Sequence, residues 1–112
     1  MKNKVLNGVP ISSGIAIGKI RFINTFHDMH NIENGDIIVV KFSRPDYVLV
    51  FKKISGIVCI NGGKMSHLAI LAREFGIPGV FGVSDAFDAL QENEMVKLNA
   101  YNGIIEKYQV EE

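Results

Sequence analysis

The chain has 112 residues, of which 47% are hydrophobic and 21% are charged, a composition typical of one compact globular domain over residues 1–112. Twelve Lys and Arg residues balance twelve Asp and Glu residues, so the formal net charge is zero and gives no indication of a nucleic-acid or anionic-membrane partner. The sequence has neither a membrane span, which needs roughly 18 apolar residues, nor a secretory signal, so we expect a cytoplasmic protein.

The first third of the chain predicts two strands and a polar loop. "VLNGVPISSG" (5–14) predicts a short strand that enters a turn, and "IAIGKIRFI" (15–23) predicts a longer strand. Gly18 lies inside this second strand and indicates either a bulge or a close approach of another backbone. "NTFHDMHNIENGD" (24–36) is polar and aperiodic, so it is predicted to be a loop.

The next segment predicts two buried strands on either side of a helix. "IIVV" (37–40) and "IVCI" (57–60) are apolar throughout, as are parallel strands that are covered on both faces. Between them, Ser43 is predicted to cap a helix of about three turns that has Pro45 in its first turn. Cys59, the one cysteine of the chain, is predicted to be a buried and unreactive thiol.

The remaining elements complete an α/β pattern. "SHLAILAREFG" predicts a helix that Ser66 caps and Gly76 ends, and "PGVFG" predicts a short strand after it. "SDAFDAL" predicts one or two helical turns capped by Ser84, and "EMVKL" and "IIEKYQV" predict a hairpin around an Asn-Gly turn. Strands that alternate with helices at this spacing predict a parallel core sheet, here joined to antiparallel strands.

The turn between the "IVCI" strand and the following helix is where the residues indicate chemistry. Gly62 and Gly63 allow a tight turn and let a large group approach the backbone. His67 falls on the first helical turn, where free backbone N–H groups and the helix dipole favour an anion. An imidazole beside such amides suits a transient phosphohistidine. A histidine at a helix start is nevertheless more often a solvated surface residue, and the pattern alone leaves both interpretations open.

The segment "GGKMSHLAILAREFGIPGVFG" resembles the signature of the phosphohistidine, or swivelling, domain of phosphoenolpyruvate-utilising enzymes. That family includes pyruvate phosphate dikinase, phosphoenolpyruvate synthase and enzyme I of the sugar phosphotransferase system. "GVPISSGIAIGKI" is similar to the family's amino-terminal strand and turn, and "ENGDIIVVKFSRPDYV" is similar to its central segment. The terminal hairpin matches its closing strands, so the resemblance spans nearly the whole chain in the right order.

The resemblance implies a three-layer β/β/α domain, which moves between distant active sites of a multidomain phosphotransferase. It implies that His67 is the phosphoacceptor, with a loop and a helix cap beside it that consist of Gly62, Gly63 and Ser66. Arg73 stands at the position of the family's arginine on the same helix. For Arg73, contact with phosphate and a surface or interface salt bridge are both open.

The family's reaction also implies machinery that this chain lacks. It needs a nucleotide-binding domain and a phosphoenolpyruvate/pyruvate barrel, which bind magnesium and ATP or phosphoenolpyruvate. The sequence has no P-loop and too few residues for a barrel, which typically needs ~250. His27 and His30 form an i, i+3 pair without further ligands, so a surface loop and not a zinc site is predicted. No cofactor or metal is therefore expected on this domain, and turnover is expected to need those partners, in cis or as separate subunits.

Three positions depart from the family's usual pattern. Met65 stands where a threonine is common, Ile60 where an acidic residue is frequent, and Ser13 where a proline is frequent. None of these changes removes the nucleophile, so a phosphoryl carrier is the first hypothesis. Met65 and Ile60 support a second one, a module of the same fold that binds partners without being phosphorylated. A small-molecule anion binder that uses the helix mouth is the third.

Overall fold

The computed structural model describes residues 5–109, and Val110, the last residue of the predicted hairpin, lies outside them. No helix in this range is long and apolar enough to cross a membrane. The range contains β-strands, α-helices and two 3-10 helices, η1 and η2. In chain order the elements are β1 (Val5–Asn7), β2 (Val9–Ser12), β3 (Ile15–Phe22), η1 (Phe26–Asn31), β4 (Ile37–Val40), η2 (Pro45–Val50), β5 (Gly56–Cys59), α1 (His67–Phe75), β6 (Gly79–Phe81), α2 (Ala86–Ala89), β7 (Met95–Asn99) and β8 (Ile104–Lys107).

The strands form one mixed sheet in the order β1-β8-β7-β3-β4-β5-β6-β2. The central strands β3, β4, β5 and β6 are parallel neighbours, whereas β7, β8 and β1 continue the sheet with antiparallel pairing. β3 belongs to both parts, because its residues 15–19 pair with β7 and its residues 20–22 pair with β4. The predicted combination of a parallel core and antiparallel strands is confirmed.

Successive side chains of the buried strands point to opposite faces of the sheet, and both faces are covered, which produces three layers. On β4, Ile38 and Val40 belong to a core with α1 and the two 3-10 helices. Ile37 and Val39 point to the opposite face and belong to a second core, which includes Val96 and other residues of the antiparallel strands. The antiparallel part therefore packs on one face of the parallel part and the helices pack on the other, as the β/β/α prediction requires.

Gly18 shows why a glycine occupies the middle of β3. Its pairing with β7 runs through Gly18 without a shift of register, so the predicted bulge is not present. A Cβ at this position would collide with the backbone oxygen of Gly35, which also accepts a hydrogen bond from the Ser55 hydroxyl at 2.7 Å. The other prediction, close backbone approach, is the correct one.

Three local predictions are wrong. The segment 5–14 contains two strands, β1 and β2, which occupy opposite edges of the sheet. The predicted loop 24–36 contains η1, because the Asp28 carboxylate accepts the backbone N–H groups of Asn24 and Thr25 and fixes the first turn. α2 begins at Ala86, and the residue before it is Asp85, so Ser84 does not cap it.

The helix predicted after Ser43 is also different. It is the six-residue 3-10 helix η2, which begins at Pro45 and has Arg44 at its N-cap position without a side-chain cap bond. 3-10 helices remain short, because their eclipsed side chains and poorer hydrogen bonds do not favour extension. The Ser43 hydroxyl is used elsewhere, as described below.

A buried ion cluster joins β3 to two distant turns. The Arg21 Nε donates to Asp36 Oδ2 at 2.9 Å, and the side chains of these two residues are 10% and 3% exposed. Arg21 Nη1 donates to Glu92 Oε2 at 3.2 Å, and Asp36 also accepts the backbone N–H of Glu33 at 2.7 Å. The hydrogen bond to Asp36 raises the pKa of Arg21 against the opposing effect of burial.

Candidate functional site

The candidate site lies at the carboxyl ends of the parallel strands β4 and β5. The loop that leaves β5 is held to the loop that leaves β4 by two backbone bonds, from Ile60 N–H to the Val40 oxygen and from Asn61 N–H to the Lys41 oxygen, both at 3.0 Å. This edge of an open parallel sheet is where α/β proteins commonly bind ligands.

Two hydroxyl groups fix the start of α1. Ser66 has extended backbone angles and its Oγ accepts the Ala69 N–H at 3.2 Å, so the predicted cap is confirmed. The second hydroxyl was not predicted: Ser43 Oγ, from the loop after β4, accepts the Leu68 N–H at 2.9 Å. The far end is also as predicted, since Gly76 adopts the left-handed conformation (φ 69°) at the C-cap.

Replacing Ser43 with alanine is expected to destabilise the domain by about 1 kcal/mol, because the Leu68 N–H would lose its acceptor. Urea unfolding of the purified variant measures this change. Ser84→Ala is the matched control, since Ser84 is exposed and has no side-chain hydrogen bond within residues 5–109, and we expect its effect to stay within about 0.5 kcal/mol. Equal effects of the two substitutions would show that the Ser43 bond contributes nothing.

His67 is the first residue of α1, and its side chain is exposed. With Leu68 and Ala69 already bonded to hydroxyls, the amide of His67 itself is the first-turn N–H that has no acceptor among the described residues. The structure therefore leaves fewer free amide N–H groups at the predicted anion site than the sequence suggests. The site consists of one free N–H and the positive end of the helix dipole, directly beside the imidazole.

The two glycines before α1 differ in what they do. Gly62 has a φ of 112°, a conformation that residues with a side chain rarely adopt, and it makes the turn out of β5. Gly63 has no positive φ, and a Cβ built on it would meet no atom within 4 Å. Gly63 therefore leaves open space next to the helix start, where a group on another molecule can come close to the backbone.

Arg73 is not brought to His67. It lies six residues further along α1, a rise of roughly 9 Å along the axis. Its Nε donates to the backbone oxygen of Ile11 at 3.0 Å, which ties α1 to the edge strand β2. Gly62, Gly63 and Ser66 lie in the loop and cap directly before His67, and Lys64 is exposed in the same loop.

The three departures from the family pattern have distinct surroundings. Met65 is 82% exposed next to the helix cap. Ile60 is half-buried and packs against the core between the two parts of the sheet, so an apolar residue fits the strand end. Ser13 is exposed in the turn between β2 and β3.

The other polar candidates are the histidine pair of η1 and the cysteine of β5. No group of three or more potential metal ligands occurs within residues 5–109. His27 and His30 lie on η1 with ring centroids 5.7 Å apart, and the hydrogen bonds from the Asn24 and Thr25 N–H groups hold the pKa of Asp28 below its usual range. Cys59 is fully buried, as predicted, and burial raises the pKa of its thiol to about 11.

Comparison with known proteins finds sequence relatives of this chain. The sequence model of the family described as "PEP-utilising enzyme, mobile domain" matches residues 32–103. A probable phosphoenolpyruvate synthase of Methanothermobacter thermautotrophicus is 37% identical over 101 residues, which are 90% of this chain and 15% of that protein. A rifampicin phosphotransferase of Bacillus cereus is 38% identical over 99 residues, which are 88% of this chain and 11% of that protein. The chain thus spans a small part of the length of these relatives.

A solved structure shares the fold over nearly its whole length. Aconitase X of Thermococcus kodakaraensis, in its holo form, superposes with a TM-score of 0.72 and 18% identity, covering 95% of this chain and 99% of that chain. At this level of identity the likeness concerns the fold alone, and the same fold carries unrelated activities.

Proposed function

The chain belongs to the family of the mobile domain of PEP-utilising enzymes, and we propose that it is a phosphoryl carrier whose acceptor is His67. His67 would receive a phosphoryl group at one partner site and deliver it at a second site. The observation that supports this most directly is the position of His67, exposed on the first turn of α1 with its own backbone N–H free of any acceptor within residues 5–109.

On this chain's side, the transfer would use the imidazole of His67 and the free N–H beside it. One imidazole nitrogen attacks the donor's phosphorus with its lone pair, so that an N–P bond forms while the P–O bond of the donor breaks. The leaving oxygen, of phosphoenolpyruvate or of the ADP part of ATP, departs with the bonding electron pair. The free N–H of His67 and the helix dipole would then stabilise the phosphoryl oxygens, the dipole by ~0.3–1 kcal/mol.

The partners would supply the rest of the reaction. Because the chain spans 15% and 11% of the two relatives described above, a nucleotide-binding domain and a phosphoenolpyruvate/pyruvate barrel would act with it, in cis or as separate subunits. Magnesium and ATP or phosphoenolpyruvate would bind to those partners. This chain would not turn over alone.

A labelling experiment tests the proposal. The chain is incubated with the Methanothermobacter thermautotrophicus relative, from which its own mobile domain has been deleted, and with ³²P-labelled phosphoenolpyruvate or ATP. We expect label that is lost in acid and kept in alkali, and mass spectrometry in alkaline buffer should place it on His67. Acid-stable label, or label on His27 or His30, would contradict the proposal, as would the absence of label with both donors.

Met65 favours one alternative function. A methionine that is 82% exposed beside the helix cap suits an apolar contact with another protein better than phosphate chemistry. A module of this fold that binds a partner without being phosphorylated would show the same binding with His67 and with Ala at that position, and it would carry no label. The labelling experiment therefore separates the two functions.

A further inference from the structure

The helical layer that carries His67 at one end is cationic and apolar, and we propose that it docks on an acidic surface of a partner domain. This layer, called here the η2–α1 face, consists of residues 41–53 and 61–76, which contain η2, α1 and the loops that precede them. The inference rests on the proposed function, since it identifies the kind of partner that would exchange the phosphoryl group with His67.

Charge is strongly segregated in this neutral chain. The segments 41–53 and 61–76 have a net charge of four positive units, whereas the other described residues together have four negative units. All charged side chains of the face are exposed. η1, which contains Asp28, packs against η2 and lines a pocket together with Leu49 and Lys53, so it borders the face. The charged residues of the two segments are the cations Lys41, Arg44, Lys52, Lys53, Lys64 and Arg73 and the acids Asp46 and Glu74. Among these cations, Lys41 turns away from the helices, because its Nζ lies 5.2 Å from the centre of the Phe87 ring on the other side of the sheet.

Large apolar side chains are exposed between these charges. Phe42 and Met65 are 59% and 82% exposed, and they precede the two serines that cap α1, so both lie beside the helix start. Leu49 is 68% exposed on η2, which packs against α1. Phe42 and Met65 can therefore supply apolar contacts to a partner protein beside the start of α1.

The combination favours an acidic protein surface as the occupant. Apolar side chains would form the centre of the contact, and the surrounding lysines and arginines would attract acidic residues and guide the approach of His67. A basic and apolar face also suits an anionic membrane surface, but the imidazole at the start of α1 is proposed to exchange a phosphoryl group, which needs a partner that holds a donor. Membrane binding is therefore treated as an outcome of the test.

The test measures binding, so that it does not depend on phosphorylation. The full chain is titrated with the same relative lacking its own mobile domain, at about 20 mM and about 300 mM salt. We expect the dissociation constant to rise about tenfold or more at the higher salt concentration. Lys52→Glu with Lys64→Glu should weaken binding at low salt by about tenfold or more, because both side chains lie exposed on the face.

A second double variant controls for net charge. Lys19→Glu with Lys107→Glu changes the total charge by the same amount on the exposed surface of β3 and β8, and its binding should stay within about twofold of the unmodified chain. Equal weakening by both pairs, no binding at low salt, or salt-independent binding would each overturn the inference. Binding instead to vesicles of phosphatidylserine and phosphatidylcholine would overturn it too.

The results also separate this inference from the proposed function. Labelling of His67 together with salt-independent binding would keep the carrier function and remove the acidic partner surface. Salt-dependent binding that the Lys52 and Lys64 substitutions weaken, without any labelling of His67, would keep the docking surface and remove the carrier function.

Discussion

Replacing His67 with alanine is expected to reduce phosphorylation of the chain by a factor of roughly a thousand or more, to the background of the assay. The imidazole would be the nucleophile, and nothing else beside the free N–H at the start of α1 has a comparable nitrogen lone pair. Incorporation of label from ³²P-labelled phosphoenolpyruvate or ATP, measured with the partner described above, checks the result.

The loss should not come from unfolding. The His67 side chain is exposed and forms no hydrogen bond within residues 5–109, so His67→Ala should change the free energy of unfolding by no more than about 0.5 kcal/mol. His27→Ala with His30→Ala is the matched control, since both rings are also exposed, and labelling should continue at the normal rate. Full labelling of His67→Ala would show that another residue is the acceptor.

The helix that carries His67 could be predicted because its signals are local. Ser66 and Gly76 lie within or next to the helix, and each acts on backbone groups at most four residues away. The two buried strands β4 and β5 were predicted for a similar reason, since unbroken apolar runs indicate strands covered on both faces. Most of the site, including the two glycines, therefore follows from residues 57–76 alone.

Features that depend on distant residues could not be predicted. Ser43 has all the local signs of a cap for its own helix, yet its hydroxyl accepts an N–H from a residue 25 positions away. The split of residues 5–14 into β1 and β2 depends on two partner strands, β8 and β6, that lie far along the chain. Such choices are decided by tertiary packing, which overrides local propensity.

The Arg21 cluster is the strongest case of this kind. Its members are separated by 15 and 71 residues, and in the sequence each looks like an ordinary surface charge. The alternation of buried and exposed side chains along β3 does not predict a buried arginine, because two consecutive residues, Ile20 and Arg21, are both buried. Only the meeting of β3 with the turns before β4 and β7 shows that the guanidinium is surrounded by carboxylates.

Replacing Asp36 with alanine is expected to destabilise the domain by about 3–5 kcal/mol, the largest stability effect we predict. The substitution would leave the Arg21 guanidinium, whose side chain is 10% exposed, without its closest carboxylate. It would also remove the acceptor of the Glu33 N–H. Urea or thermal unfolding measures the change, and the observed loss should exceed that of Ser43→Ala severalfold.

Two further variants distinguish an unpaired buried charge from simple loss of packing. Glu33→Ala removes a carboxylate that lies 3.8 Å from Arg21 but is 72% exposed, so its effect should stay within about 1 kcal/mol. Arg21→Met combined with Asp36→Leu removes both charges and keeps apolar volume, and this pair should recover much of the stability lost in Asp36→Ala. If the double variant were as unstable as Asp36→Ala, the cost would lie in the hydrogen bond to Glu33 and in packing, and the unpaired charge would not be its cause. Asp36 directly precedes β4, whereas α1 begins after the carboxyl end of β5, so the two lie at opposite ends of the parallel strands. The Asp36, Glu33 and Arg21 variants that fold should therefore still be labelled at His67.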